Sequence, residues 1–248
     1  MKKTAATSES PAEVIYFNLE LGVGFRKPAD KTVKQLVKES PPPSCCFIVF
    51  RTIIMPIAKI LAFSGSARRH SYNQRLVEIA ASGARNSGAV VTVISLRDFP
   101  MPLFDEDLER DQGLPEATLR LKALFQEHAG LLIACPEYNS SITPLLKNTL
   151  DWVSRPAPGE PSLVSFRGKS AALLSGSPGA LGGLRGLVHV RAILGNIGVV
   201  VLPDQVAVGT AHDAFDGAGS LVDPAIRSRV LTLGEQLAEL VRQRSAAV

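Results

Sequence analysis

Two short segments of the chain carry hydroxyl, amide and cationic side chains directly after apolar runs. The first is residues 64–73, with sequence SGSARRHSYN, and the second is residues 136–141, with sequence PEYNSS. A helical pattern follows each of them, so both are expected where a strand connects to a helix. Backbone N–H groups at a helix start have no intrahelical acceptor and attract phosphate. The pair predicts one ligand with a phosphate at one end and a flat ring at the other.

The donors of the first segment suit a phosphate monoester. They are the hydroxyls of Ser64, Ser66 and Ser71, the amide of Asn73 and the guanidinium of Arg68. Several neutral donors and one cation match an oxyanion with about two charges and three acceptor oxygens. The segment is neither a Walker A loop nor the GxGxxG dinucleotide fingerprint. A simpler alternative is a helix cap in which Ser71 or Asn73 only satisfies backbone donors, but a cap does not explain Gly65 together with Arg68.

The second segment suits the ring. Glu137 would repel a phosphate, whereas Pro136 rigidifies the turn, Tyr138 offers a ring face and Asn139 offers an amide. Backbone N–H and C=O groups exposed at this position can pair with the polar edge of an isoalloxazine. A tyrosine taken alone is more often a half-buried packing residue. Its position after the third predicted strand favours the ligand.

Composition and charge exclude several classes of function. Apolar residues make up 46% and charged residues 20% of the 248 residues, as in globular proteins. Of the formal charge of +4, +3 lies in residues 1–54, so the remainder lacks the concentrated basic face of a nucleic-acid-binding protein. The cysteines and histidines show no metal-ligand spacing, and no catalytic triad or carboxylate pair is evident. We therefore predict no metal site and assign no catalytic acid or base, and we interpret Cys135 as a small buried apolar residue.

Residues 1–54 differ from the rest of the chain. They mix Lys, Ser, Glu and Pro with brief apolar stretches. The apolar residues 47–54 fall far short of the roughly 20 residues that cross a bilayer. No apolar region follows Lys2 and Lys3, as a secretory signal would require. We therefore expect no membrane span, a cytoplasmic location, a weakly ordered extension over residues 1–54 and a folded domain over residues 55–248.

Strand and helix patterns alternate regularly from residue 58 onward. Strands are predicted at residues 59–63, 90–95, 131–135, 171–175 and 199–202. Helices are predicted at residues 73–85, 115–127, 144–153, 184–194 and 223–242. Short apolar strands separated by amphipathic helices indicate right-handed crossovers and a parallel sheet. Five strands suit a flavodoxin-like, doubly wound α/β fold with strand order 2-1-3-4-5, helices on both faces and a ligand at the switch point between the first and third strands.

Three motifs occur in order within residues 57–243. They read GSxRxxSxN at residues 65–73, PEYN at residues 136–139 and LKNxxDWxSR at residues 146–155. Together they resemble the NADPH-dependent FMN reductase family, which includes quinone, azo-dye and chromate reductases. Residues 175–183, with sequence SGSPGALGG, are similar to the third flavin loop of that family. Residues 1–54 have no counterpart in this pattern.

The resemblance implies an FMN-dependent NAD(P)H oxidoreductase. Hydride from NADPH, or from NADH, would pass through flavin N5 to a small acceptor: a quinone, a free flavin, an azo compound or a metal oxyanion. The nicotinamide and the acceptor would occupy the same place in turn, giving ping-pong kinetics. The alternative is a flavodoxin-type electron-transfer protein that lacks NAD(P)H oxidase activity of its own.

The resemblance also implies roles for individual residues. The implied phosphate ligands are Ser66, Arg68, Ser71 and Asn73. The implied ring-lining residues, acting mostly through the main chain, are Pro136, Glu137, Tyr138 and Asn139, with Ser175, Gly176 and Ser177 on the far side of the ring. Because the family forms dimers or dimers of dimers, a homodimer or homotetramer is expected, with Trp152 and Arg155 as candidate interface residues.

Overall fold

The computed structural model describes residues 56–246, so the predicted extension over residues 1–54 lies outside the described part of the chain. Within it, a central parallel sheet is formed by β1 (Lys59–Ser64), β2 (Val90–Ser95), β3 (Gly130–Ala134), β6 (Ser170–Gly176) and β7 (Val200–Val208). The strand order is β2-β1-β3-β6-β7. After β3, a separate antiparallel hairpin consists of β4 (Glu137–Tyr138) and β5 (Ser141–Ile142). Without the hairpin strands the order is the predicted 2-1-3-4-5, and the flavodoxin-like fold is confirmed.

Helices cover both faces of this sheet. They are α1 (Tyr72–Asn86), α2 (Glu106–Gln112), α3 (Glu116–Glu127), α4 (Pro144–Ser154), α5 (Leu184–Asn196) and α6 (Pro224–Ala246). One buried core joins the sheet to α1 and α6, and a second joins its other face to α3, α4 and α5. In residues 56–246 no helix combines the length and apolar character needed to cross a membrane.

Burial on both faces explains why the central strands read as continuous apolar runs. In β1, Ile60 and Ala62 pack with α1 and α6, whereas Leu61 and Phe63 pack on the opposite face. Parallel strands between two helical layers have no solvated side, so every position favours an apolar residue. This pattern made the strands predictable from the sequence.

Two kinds of element were not predicted. The helix α2 has no buried residue, so it lacks the apolar stripe from which a helix is predicted. The strands β4 and β5 have two residues each, too few to show a strand period. At the edge of the sheet, β7 continues to Val208 rather than ending at Leu202. Its Pro203 is tolerated because an edge strand does not need every backbone N–H for pairing.

The side chain of Trp152 lies in the interior of the folded domain and not on its surface. Its side chain is fully buried, and its indole N–H donates to the carbonyl of Pro102 at 2.8 Å. The ring of Phe104 packs edge-on against it, with ring centroids 5.0 Å apart. The expectation that Trp152 is a subunit interface residue is therefore wrong. Arg155 is paired within the chain, with its Nε 2.8 Å from a carboxylate oxygen of Glu109.

Two glycines allow α1 and α6 to cross in backbone contact. A Cβ atom on Gly83 would overlap the carbonyl oxygen of Leu231, and one on Gly234 would overlap that of Ala80. Backbone atoms cannot move aside as the end of a flexible side chain can. The crossing therefore requires glycine at both positions, although neither has an unusual backbone angle.

We predict that Gly234→Ala lowers the free energy of unfolding by about 1–3 kcal/mol, because the added methyl group forces the two helices apart. The measurement is urea denaturation followed by circular dichroism. Gly195→Ala in α5 is the matched control, since a Cβ there meets no atom within 4 Å. That variant should be neutral or more stable by up to about 1 kcal/mol. Equal effects of the two substitutions would contradict the close crossing.

Candidate active site

The candidate site lies at the carboxyl edge of the sheet, where loops leave β1, β3 and β6. Adjacent strands β1 and β3 lead to helices on opposite faces of the sheet, which opens a crevice between their loops. Nine of the eleven predicted residues line one cavity there: Ser66, Arg68, Ser71, Asn73, Pro136, Glu137, Tyr138, Gly176 and Ser177. Asn139 and Ser175 do not line it. Tyr72 and Pro178 do, although neither was predicted.

The cavity has the size of a compact anion site. Its volume is about 60 Å³, several times the roughly 10–15 Å³ that one water molecule needs. Larger depressions occur elsewhere on the described residues, including one of about 490 Å³ beside α4 and α5. That depression has mainly apolar walls and is not lined by the loops after β1 and β6. Convergent donors therefore distinguish the small cavity as the candidate phosphate site.

The start of α1 presents the donors of the first loop. Ser71 caps the helix, because its Oγ accepts a hydrogen bond from the backbone N–H of Gln74 at 3.3 Å. Ser66 Oγ accepts one from the backbone N–H of Arg68, also at 3.3 Å. Since both hydroxyl oxygens act as acceptors here, their protons remain available to a ligand. Helix capping and anion binding are thus compatible roles of the same residues.

Asn73 joins this loop to the end of β6. Its Nδ2 donates to the carbonyl of Gly176 at 2.8 Å, and its Oδ1 accepts from the N–H of Gly176 at 2.9 Å. The Asn73 side chain is buried, so these two bonds satisfy an amide that has little access to water. The structure thus gives Asn73 a bridging role that the sequence did not predict. Direct contact of its second amide hydrogen with a phosphate remains a prediction.

Thr143 joins the same loop to the start of α4. Its Oγ1 donates to the carbonyl of Gly65 at 2.7 Å and accepts from the N–H of Leu146 at 3.1 Å, which caps α4. A Cβ on Gly65 would lie 2.9 Å from Leu146 Cβ, so the close approach needs glycine. Thr143 was not predicted as a site residue from the sequence. A threonine directly before Pro144 is a typical helix-start signal that could have identified it.

The predicted ring-binding tetrapeptide lies in the hairpin of β4 and β5. The two turn residues, Asn139 and Ser140, have φ angles of 49° and 67°. Two consecutive positive φ angles are typical of a type I′ turn, which closes a two-residue hairpin. Tyr138 is 50% exposed beside this turn. The hairpin therefore presents a backbone edge and an aromatic face to the mouth of the crevice.

The carboxylate of Glu137 is neutralised within the site. It accepts hydrogen bonds from Nε and Nη2 of Arg185 at 3.0 and 2.7 Å, and from the N–H of Gly186 at 3.1 Å. The Glu137 side chain is only 8% exposed. Burial alone would raise its pKa, but the hydrogen bonds from Arg185 and Gly186 hold that pKa below its usual value. Repulsion of a nearby phosphate is reduced accordingly, and Arg185 is a site residue that the sequence analysis missed.

Buried hydroxyls at the strand ends support the fit of FMN to this site. Among the described residues, three buried serine hydroxyls have no hydrogen-bond partner: Ser64 and Ser175 at the ends of β1 and β6, and Ser165 between α4 and β6. Gly183 has a φ of 90°, and a Cβ there would overlap Ser175 Oγ. The space around this hydroxyl is thus kept by a glycine. The cavity next to these strand ends is lined by Ser, Asn and Arg donors, which suit the phosphate of a mononucleotide.

Cys135 does not provide a nucleophile. The thiol is buried at the end of β3, and burial together with the nearby Glu137 carboxylate raises its pKa to about 12. A thiol that stays protonated is a poor nucleophile and a poor metal ligand. The interpretation of Cys135 as a buried apolar residue is confirmed. In residues 56–246, no group of three His, Cys, Asp or Glu side chains could hold a metal ion.

Comparison with known proteins identifies the family. The family model described as NADPH-dependent FMN reductase matches residues 58–213, which contain all three loops of the site. The chain belongs to the NADPH-dependent FMN reductase family. It is therefore an FMN-dependent NAD(P)H oxidoreductase, as the motifs predicted. This decides against the electron-carrier alternative.

Individual relatives agree with this assignment. An NAD(P)H-dependent FMN reductase of Pseudomonas aeruginosa is 36% identical over 173 residues, covering 69% of this chain and 89% of that protein. A 2-hydroxy-1,4-benzoquinone reductase of a Burkholderia species is 32% identical over 192 residues, covering 75% of this chain and 97% of that protein. Among solved structures, the NAD(P)H:(acceptor) oxidoreductase FerB of Paracoccus denitrificans has a TM-score of 0.64 at 25% identity, covering 76% of this chain and 99% of that chain.

We predict that Glu137→Gln lowers the free energy of unfolding at neutral pH by about 1–3 kcal/mol, because the charged hydrogen bonds to Arg185 and Gly186 are lost. A carboxylate whose folded pKa is depressed stabilises the protein above its unfolded pKa, near 4.5, and this contribution is lost as the pH falls through the folded pKa. The difference between wild type and variant should therefore be constant above about pH 5 and shrink below it. Urea denaturation across this pH range provides the measurement.

Glu235→Gln is the matched control for this prediction. Among the described residues, Glu235 makes neither a side-chain hydrogen bond nor an ion pair. The free energy of unfolding of the Glu235→Gln variant should therefore stay within about 0.5 kcal/mol of that of the wild type. If Glu137→Gln changed the free energy of unfolding no more than this control does, the pairing of Glu137 with Arg185 and Gly186 would not stabilise the protein.

Proposed function

We propose that a quinone is the electron acceptor of this reductase. The supporting observation is a half-exposed aromatic side chain at the mouth of the crevice. Tyr138 is half exposed where the β4–β5 hairpin meets the crevice, which gives a flat acceptor access to the ring of bound FMN. The extensive similarity to a protein named as a benzoquinone reductase agrees with this choice.

The proposed phosphate site consists of Ser66, Arg68, Ser71 and Asn73. Ser66 and Ser71 are nearly buried and keep their hydroxyl protons available. Within the described residues, the Arg68 guanidinium forms no hydrogen bond or ion pair, so all its donors can serve a ligand. Neutral donors in a tight cavity and one cation at its rim suit a phosphate that carries close to two charges at neutral pH.

The proposed ring site lies between the second and third loops. One side would consist of the hairpin residues Pro136, Glu137, Tyr138 and Asn139, acting mostly through the main chain. The far side would consist of Ser175, Gly176 and Ser177 at the end of β6. Of these seven residues, Asn139 and Ser175 do not line the cavity. The Asn73–Gly176 hydrogen bonds hold this third loop against the first. The phosphate and ring sites therefore form one continuous pocket.

FMN, when bound, would supply the hydride-transfer chemistry between the nicotinamide and the acceptor. The chain itself contributes position and electrostatics, because productive transfer needs the reacting atoms about 3–3.5 Å apart. Glu137 is held ionised by Arg185, so it does not serve as a proton donor at neutral pH. Cys135 stays protonated and buried. We assign no catalytic acid or base among the described side chains.

We expect ping-pong kinetics with a quinone, because the nicotinamide and the acceptor use the same open side of the site. Initial rates at varied NADPH and benzoquinone should give parallel double-reciprocal lines. In a panel at equal concentration, kcat/KM for benzoquinone should exceed that for free flavin, an azo dye and chromate by about tenfold, a difference of roughly 1.4 kcal/mol in transition-state binding. Intersecting lines would contradict the shared site, and a faster non-quinone acceptor would contradict the quinone assignment.

We predict that Arg68→Ala weakens FMN binding about tenfold to hundredfold, because a charge-assisted hydrogen bond contributes about 1.5–3 kcal/mol. Thermal stability of the apoprotein should change little, since Arg68 is exposed. The measurement is fluorescence titration of apoprotein with FMN. Arg69→Ala is the matched control, as Arg69 is equally exposed but does not line the cavity. Equal FMN affinity in both variants would rule out the phosphate role of Arg68.

The assembly and location of the enzyme also belong to the proposal. We expect a homodimer or homotetramer that acts in the cytoplasm, as the family resemblance and the sequence predict. Light scattering after size exclusion should give two or four times the mass of one chain. Fractionation of source cells, with detection by antibody, tests the location.

A further inference from the structure

Four side chains beside the phosphate site form one continuous stack. The guanidinium carbon of Arg68 lies 5.7 Å from the ring centroid of Tyr72. The rings of Tyr72 and Phe215 are 5.9 Å apart between centroids, with planes 9° from parallel. The guanidinium carbon of Arg75 lies 5.6 Å from the Phe215 centroid. This row of contacts links the cavity to the loop between β7 and α6, in the order Arg68, Tyr72, Phe215, Arg75.

Phe215 is held in a compact loop between β7 and α6. The loop closes through a bridge between Phe215 and Leu221, with the N–H of Val222 donating to the carbonyl of Ala214 at 3.0 Å. At its tip, Asp216 Oδ1 accepts from two backbone N–H groups, at 2.9 and 2.8 Å. Leu221 is buried, and Phe215 packs against the core that α1 and α6 share. The Phe215 ring is therefore a fixed surface.

Arg68 contacts the Tyr72 ring, which also stacks against Phe215. Arg68 precedes α1 in an exposed stretch, and the described residues offer its guanidinium no acceptor. The Tyr72 ring is the aromatic surface on which it rests. A cation–π contact gives a guanidinium a partner without a hydrogen-bond acceptor, so its N–H donors remain available to an anion. A stacked arginine is thus ordered without occupying the donors that a phosphate requires.

We propose that Phe215 is a positioning residue that orders Arg68 through Tyr72 and thereby sets the preference of the enzyme for FMN over riboflavin. The inference rests on the proposed phosphate role of Arg68. Riboflavin has the same ring and sugar chain as FMN but no phosphate, so ordering Arg68 benefits only FMN. A Phe215 that merely stabilised the fold would affect both flavins alike.

The test compares FMN and riboflavin affinity in the full-length apoprotein. We expect Phe215→Leu to weaken FMN binding about threefold to fivefold, the scale of one exposed cation–π contact. Riboflavin affinity should stay within about twofold, so the FMN-to-riboflavin affinity ratio falls. Phe215→Tyr preserves the ring and should keep the wild-type ratio. If Phe215→Leu does not fold, Phe215→Ile carries the same expectation.

A double mutant separates this inference from the proposed function. Combined with Arg68→Ala, Phe215→Leu should lower the affinity ratio no further, because Phe215 acts through Arg68. Additive losses, or an equal loss for both flavins in Phe215→Leu, would overturn the positioning role while leaving the phosphate role of Arg68 intact. An unchanged ratio in Arg68→Ala alone would overturn both.

Discussion

Two hydrogen bonds between the Asn73 amide and the backbone of Gly176 join the start of α1 to the end of β6, and the shape of the site depends on this junction. Both groups are buried, so breaking either bond would leave a polar atom without a partner, and water would not replace the lost partner. Thr143 makes the corresponding connection between Gly65 and α4. Loops from three strands are thereby held at the switch point of the sheet, where the first turn of α1 and the hairpin face one crevice.

Electrostatics within the crevice follow from which charges are already paired. A carboxylate at position 137 would oppose an anionic ligand if it were free, but Arg185 and the first turn of α5 hold it. Arg68 is held by an aromatic ring, which does not consume its hydrogen-bonding donors. At the proposed phosphate end the site therefore keeps a cation that has no hydrogen-bond acceptor among the described residues, and at the proposed ring end it keeps a paired carboxylate. This division of charge suits a ligand that is anionic at one end only.

Much of the fold, and most of the residues that line the candidate site, could be predicted from the sequence. The strands were visible because burial on both faces makes each of them uniformly apolar, and nine of eleven predicted residues line one cavity. Prediction failed where no local signal exists. The helix α2 has no buried residue, so it shows no apolar stripe. The residues next to Trp152 in the sequence do not indicate that its side chain lies in the core. The segment around Phe215 gave no indication of its contact with Tyr72, since that contact spans the whole domain.

The sequence by itself determined the alternation of strands and helices, the types of donor available to a phosphate and the family to which the chain belongs, because these depend on residue type and local spacing. Only the tertiary structure decided that Glu137 is paired with Arg185, that Asn73 binds the backbone of Gly176 and that Phe215 stacks against Tyr72. These partners lie 48, 103 and 143 positions apart in the printed sequence. Nothing in the chemistry of one partner identifies the other until the sheet brings their loops to the same edge.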